Sequence, residues 1–107
     1  MLGLLLLLAC EPAEPQVIAE CAQIADGTAR EECRMGFVVA QLEDLDAMRA
    51  LIAEVPEVES RDLLRLRLAV RDPVRAAGLC HDAETPPAQQ RCQQVLGRPH
   101  LRTPRPE

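Results

Sequence analysis

The amino-acid sequence predicts an all-α fold, a small four-helix domain of two helical hairpins stapled by two disulfides. Three observations lead there. Aliphatic residues recur at helical spacing along most of the 107-residue chain, in which Phe37 is the sole aromatic side chain. Helix start and stop signals separate these stretches: Asp26-Gly27, Thr28, Pro56, Ser60, Thr85-Pro86 and Gly97. Four of the five cysteines form two pairs of matched spacing, Cys21-x11-Cys33 and Cys80-x11-Cys92.

Taken in order, Val17, Cys21 and Ile24 lie at helical spacing and predict a short first helix that Asp26-Gly27 ends, Gly27 being able to take a positive φ. Thr28 then fits an N-cap with Glu31 three residues on, the two halves of a capping box. From there a second helix is expected to reach about Val55, with Cys33, Phe37, Leu45, Met48, Leu51, Ile52 and Val55 on one apolar stripe. Pro56 closes it. Asp44 falls within that stripe, where an unpaired carboxylate is costly, and is expected to reach an arginine of the third helix or the edge of the stripe. After a connection at 57–60, in which Ser60 can cap, Leu63, Leu66, Val70, Val74 and Ala77 define the core face of a third helix that continues with a kink through Pro73. Thr85 caps a fourth helix with Pro86 at its first position, and Gly97 ends it.

Residues 1–10 are an apolar run ending in Leu7-Leu8-Ala9-Cys10. At about 1.5 Å per residue a helix of this length reaches about half of a ~30 Å hydrocarbon core, so the run reads as an export leader, not a membrane span. Leu7-Leu8-Ala9-Cys10 resembles the lipobox of bacterial lipoproteins, although no Lys or Arg precedes the run. The resemblance implies cleavage after Ala9 and acyl chains on Cys10, which together hold a protein stably on a membrane. Because Glu11 stands where an inner-membrane retention aspartate would be, it also favours the outer membrane. The chain then divides into a lipoprotein signal peptide (1–9), a Pro- and Glu-rich tether (10–15), a disulfide-stapled helical domain (16–97) and a Pro/Arg-rich tail (98–107).

With Cys10 lipidated, an even set of cysteines remains, which in an oxidising compartment favours disulfides. Cys21 and Cys33 each stand six residues from Gly27, and Cys80 and Cys92 each six from Pro86, so each pair lies level across a predicted hairpin. Closing such loops contributes roughly 3 kcal/mol each in the chain-entropy treatment. A competing arrangement folds the second and third helices back on each other and pairs Cys33 with Cys80 and Cys21 with Cys92. That nested pattern resembles the topology of twin-Cys helix-coil-helix proteins. A third use of these residues is a metal site of Cys80, His81, Cys92 and His100, whose spacing fits no standard finger.

All twelve cationic side chains are arginines, set against seventeen carboxylates, and the net charge of -5 argues against nucleic acid as a partner. Ser60 is the sole serine, neither His81 nor His100 has a triad around it, and no glycine-rich phosphate loop is present, so catalysis is not expected. No cofactor is expected either. Arg61, Arg65, Arg71 and Arg75, with Leu64 and Leu68 among them, predict either a solvated basic face over packed leucines or a partner surface of interface-like composition. The functional expectation is therefore an envelope-anchored lipoprotein acting by contact as a binding, inhibitory or structural accessory module, with the membrane and an envelope protein as partners. Its alternative is a periplasmic metal- or redox-handling protein using Cys80, His81, Cys92 and His100.

Overall fold

The computed structural model describes residues 14–97, and over them the fold is all-α. The leader, Cys10 and the tail with His100 lie outside the described residues. A 3-10 helix, Ile18–Gln23, opens the domain, followed by α1 (Gly27–Val39), α2 (Leu45–Ala53), α3 (Val58–Arg71), the single turn α4 (Ala77–Cys80) and α5 (Pro86–Gly97).

The first helix is 3-10 and not α, and this shifts its buried face. With three residues per turn, Ile18 and Cys21 share one side, so Ile18 is buried where Val17 was expected, and Val17 is exposed. Asp26, not Thr28, caps α1: its carboxylate accepts the Ala29 N–H at 2.8 Å. Gly27 is accordingly the first residue of α1 and has no positive φ.

The long second helix of the sequence reading is two helices. After Val39 the chain tightens through Gln41 N–H to Val38 O and Leu42 N–H to Val39 O. Asp44 then restarts it as the N-cap of α2, accepting the Ala47 N–H at 3.0 Å. Its carboxylate is neither buried in an apolar stripe nor paired with an arginine; its role is local, because a short acidic side chain competes for backbone donors and favours caps over helix interiors.

The third helix stops at Pro73, where a kink was expected. Asp72 has φ -144° and ψ 82°, outside the α region, as the residue before a proline prefers. The Asp72 carboxylate accepts the Arg75 N–H at 3.0 Å and turns the chain into α4. There Gly78 allows a close approach: a Cβ at that position would lie 2.7 Å from Leu45 Cδ2 of α2.

α3 contacts each of the other α-helices and feeds two apolar clusters. Leu64 and Leu68 join Ile18, Val38, Met48, Ile52, Val55, Ala76 and Leu79, while Ala69 packs with Cys80, Cys92 and Val95. This reverses the expected face of α3. Leu64 and Leu68 are 1% and 0% exposed, whereas Leu63, Val70 and Val74, expected in the core, are 36%, 49% and 80% exposed.

Both hairpin disulfides form, Cys21–Cys33 with Cα atoms 5.8 Å apart and Cys80–Cys92 with Cα atoms 5.4 Å apart. They tie the 3-10 helix to α1 and α4 to α5. The nested pairing is therefore not the one adopted.

Candidate functional site

Apolar residues occur all round α3, so their spacing alone cannot choose its inner face; two charged residues mark it. Asp62 is 4% exposed, and its carboxylate collects the last residues before α5. Asp62 Oδ1 accepts the Glu84 N–H at 3.0 Å, and Oδ2 accepts the Thr85 N–H at 2.9 Å and the Thr85 hydroxyl at 2.8 Å. One turn along, Arg65 donates to Asp62 at 2.8 Å and to the Glu84 carboxylate at 2.8 Å. Arg61 closes the cluster by donating twice to Glu84, at 2.6 and 2.9 Å, and to the carbonyls of Val55 and Pro56 at 2.8 and 3.0 Å. This two-point contact matches the planar fork of a guanidinium to a carboxylate.

The protonation of these groups follows from the geometry. Burial alone would raise the Asp62 pKa, but the donors from Glu84, Thr85 and Arg65 outweigh it and hold the carboxyl below its usual range. Glu84 is brought to about 2, first by its hydrogen bonds to Arg61 and Arg65 and then by their charge. Arg61 is correspondingly raised, chiefly by its bond to Glu84. Such carboxylates stay ionised at neutral pH, so they suit clamping and not proton transfer.

Two further arginines make comparable joints. Arg34, 1% exposed, reaches Glu31 at 3.1 Å and Glu57 at 3.0 Å, and Ser60 donates its hydroxyl to the same Glu31 oxygen at 2.8 Å. Ser60 and Glu31 thus connect α3 to α1 and are not caps. Arg49 of α2 donates to Asp82 at 2.7 Å and to the Gly78 carbonyl at 3.2 Å, and its pKa is raised chiefly by the Asp82 bond. Each of these three joints carries an arginine between a carboxylate of its own helix and one from a neighbouring segment. Composition had shown the arginines, but not that the tertiary fold would place them at the seams.

The residues expected to form a partner surface separate. Leu64 and Leu68 belong to the core, and Arg61 and Arg65 are engaged by Glu84 and Asp62, so these four do not form an exposed docking patch. Leu64 and Leu68 pack against neighbouring helices, but the solvated face expected above them is absent here, because Arg65 is buried and Arg61 half-buried in the ion-pair cluster. Arg71 and Arg75 are exposed, and Arg75 lies 3.6 Å from Glu43 and 3.8 Å from Asp72. The residues that sequence reasoning missed are Asp62, Glu84 and Arg34, and for Thr85, expected as a helix cap, it missed the hydroxyl bond to Asp62. Their one local signal is the i, i+3 acid–base spacing of Asp62 with Arg65 and of Glu31 with Arg34.

Shallow clefts mark the described surface. One of about 280 Å³ is lined by Cys80, His81, Gln89, Cys92, Gln93 and Leu96, and brings His81 beside the second disulfide. Another of about 280 Å³ lies at the α1–α2 turn beside Arg75, and a third of about 430 Å³ lies between the start of α1 and Leu63 and Arg67 of α3. Among the described residues no group of three or more His, Cys, Asp and Glu is arranged to hold a metal ion, and Cys80 and Cys92 are joined to each other. No helix among them is long and apolar enough to cross a membrane. Comparison of the chain with protein-family models, with curated proteins and with solved structures yields no match.

Proposed function

We propose that this chain is an envelope-anchored lipoprotein whose small helical domain acts by contact, as a binding, inhibitory or structural accessory module, and not by catalysis. The observation that carries the reading is the division of the five cysteines. Four close the two hairpins as disulfides, which persist in oxidising compartments, and the fifth is Cys10 of the lipobox-type segment Leu7-Leu8-Ala9-Cys10. An export leader, an acylated Cys10 and oxidised hairpins belong to one route through the cell envelope, with the outer membrane as the favoured destination. Charged groups spent on holding seams, and not on a pocket, support a contact role. The test is the intact mass of protein taken from its native host's envelope, with thiols alkylated before and after reduction. Loss of residues 1–9, acyl mass on Cys10 and four thiols that react only after reduction are expected. Retention of Met1 with thiols reactive from the start would overturn the reading.

A second reading rests on the cleft that places His81 beside Cys80 and Cys92. Reduction of that disulfide would free two thiolates next to an imidazole, a donor set suited to zinc or copper, with His100 as a further ligand. Titration of the reduced, refolded chain with zinc decides it, since stoichiometric binding lost in His81→Ala would favour this reading over the contact role.

A further inference from the structure

We infer that the outward face of α3, centred on Arg67 and Val70, rests on an anionic lipid surface; this rests on the reading that Cys10 is lipidated. Leu63, Arg67 and Val70 stand at i, i+4 and i+7, so they share one side of α3, and all three are exposed. Leu66 is half-buried beside them, and Val74 follows in the turn after the helix as an exposed apolar residue. Apolar side chains among arginines are the pattern of an interfacial helix, whose arginine stems lie along the acyl boundary while the guanidinium groups reach the headgroups.

Charge selects the occupant. The chain as a whole is acidic at -5, yet from Arg67 to Arg75 three arginines face one carboxylate, Asp72. Arg67 and Arg71 form no ion pair among the described residues, so their charge is available to headgroup phosphates. Glu31 and Glu32 of α1 line a cleft with Leu63 and Arg67, and Glu59 stands one turn before Leu63, which places the contact toward Val70 and Arg71. The acidic remainder of the domain is repelled by the same surface, so the field orients the domain as well as attracting it. Tether length supplies the second argument. Four residue steps separate Cys10 from Glu14, the first described residue, and span at most about 14 Å when extended. A domain held that close meets its bilayer at high effective concentration, so a modest surface affinity suffices to dock it.

The chain contains no Trp, so Val70→Trp in the full-length lipidated protein supplies a single fluorophore on this face, and Gln90→Trp on exposed α5 supplies a control. The protein is reconstituted in phosphatidylglycerol/phosphatidylethanolamine vesicles with brominated acyl chains, and acyl mass on Cys10 is measured on the same sample. Val70→Trp is expected to be blue-shifted and quenched, and Gln90→Trp to be neither. Adding Arg67→Glu and Arg71→Glu is expected to reduce the quenched population roughly tenfold or more, as is high salt. Equal quenching at both positions, or quenching indifferent to the two arginines, overturns the proposal. Absence of acyl mass with Val70→Trp still quenched by added vesicles would remove the anchor and keep the face.

Discussion

The Asp62 carboxylate of α3 accepts the backbone N–H of Thr85 at 2.9 Å and its hydroxyl at 2.8 Å, so the residue that introduces α5 is held by the helix α5 packs against. Removing this acceptor leaves the Glu84 and Thr85 amides without their partner and takes from the Arg65 guanidinium one of its two carboxylates. Asp62→Ala is therefore expected to cost about 3–5 kcal/mol. For a domain of this size that lowers the melting temperature by more than ten degrees, on the order of 4–8 °C per kcal/mol. Thermal unfolding followed by circular dichroism checks it. A change below about 1 kcal/mol would remove Asp62 from the seam.

Glu84 and Asp62 also set a pH dependence. Both folded-state pKa values lie below the ordinary ones, and for Glu84 the change is from 4.5 to about 2. The unfolded chain therefore binds protons first, so the stabilisation is fully present above about pH 4.5 and is lost as the pH falls toward 2. Chemical denaturation across pH 7 to 2 is expected to be flat down to about pH 5 and then to decline. Glu84→Gln should shrink that decline, since it removes one of the two titrating groups. An unchanged slope in the variant would assign the acid sensitivity elsewhere.

The orientation of α3 is tested by two pairs of truncations. Leu64→Ala and Leu68→Ala remove fully buried side chains and are each expected to cost about 2–5 kcal/mol. Leu63→Ala and Val70→Ala act on an exposed face and should stay within about 0.5 kcal/mol. Urea midpoints at constant slope separate the two groups. Similar losses in all four would restore the face expected from spacing alone.

Each disulfide closes a hairpin next to a small core. Cys21→Ser with Cys33→Ser, and Cys80→Ser with Cys92→Ser, are each expected to cost about 2–5 kcal/mol, and reductant should lower the melting temperature of the wild-type chain in the same direction. Non-reduced tryptic mapping should show Cys21 travelling with Cys33 and Cys80 with Cys92.

Arg34 gives a further contrast with the surface arginines. Arg34→Ala leaves Glu31 and Glu57 facing each other without the buried cation and is expected to cost about 3 kcal/mol or more. Arg71→Ala removes an exposed, unpaired charge and should be near neutral.

Features governed by local chemistry could be read directly. Thr85-Pro86 begins α5, Met48 and Ile52 are buried on α2 with Val55 just after it, and the equal spacings of the cysteines correspond to the two disulfides formed. Where two local rules competed, the reading failed. Asp44 had a place in a helical stripe and a capping side chain, and capping won because its carboxylate satisfies an amide that would otherwise lack a partner. Asp26 outcompeted Thr28 for the same reason.

The sequence by itself determined the all-α class, the matched cysteine spacings and the absence of an aromatic core, because helix periodicity and caps act within a few residues of one another, while the choice of hairpin over nested disulfides waited on the fold. The tertiary structure decided which side of α3 faces inward and which arginines are spent. A helix with leucines on several faces presents more than one burial solution of similar apolar area, and the choice falls to the solution in which buried charges find partners. Asp62 and Arg65 meet Glu84 and Thr85 across 19 to 23 residues of chain, at a seam that exists only once the helices have packed.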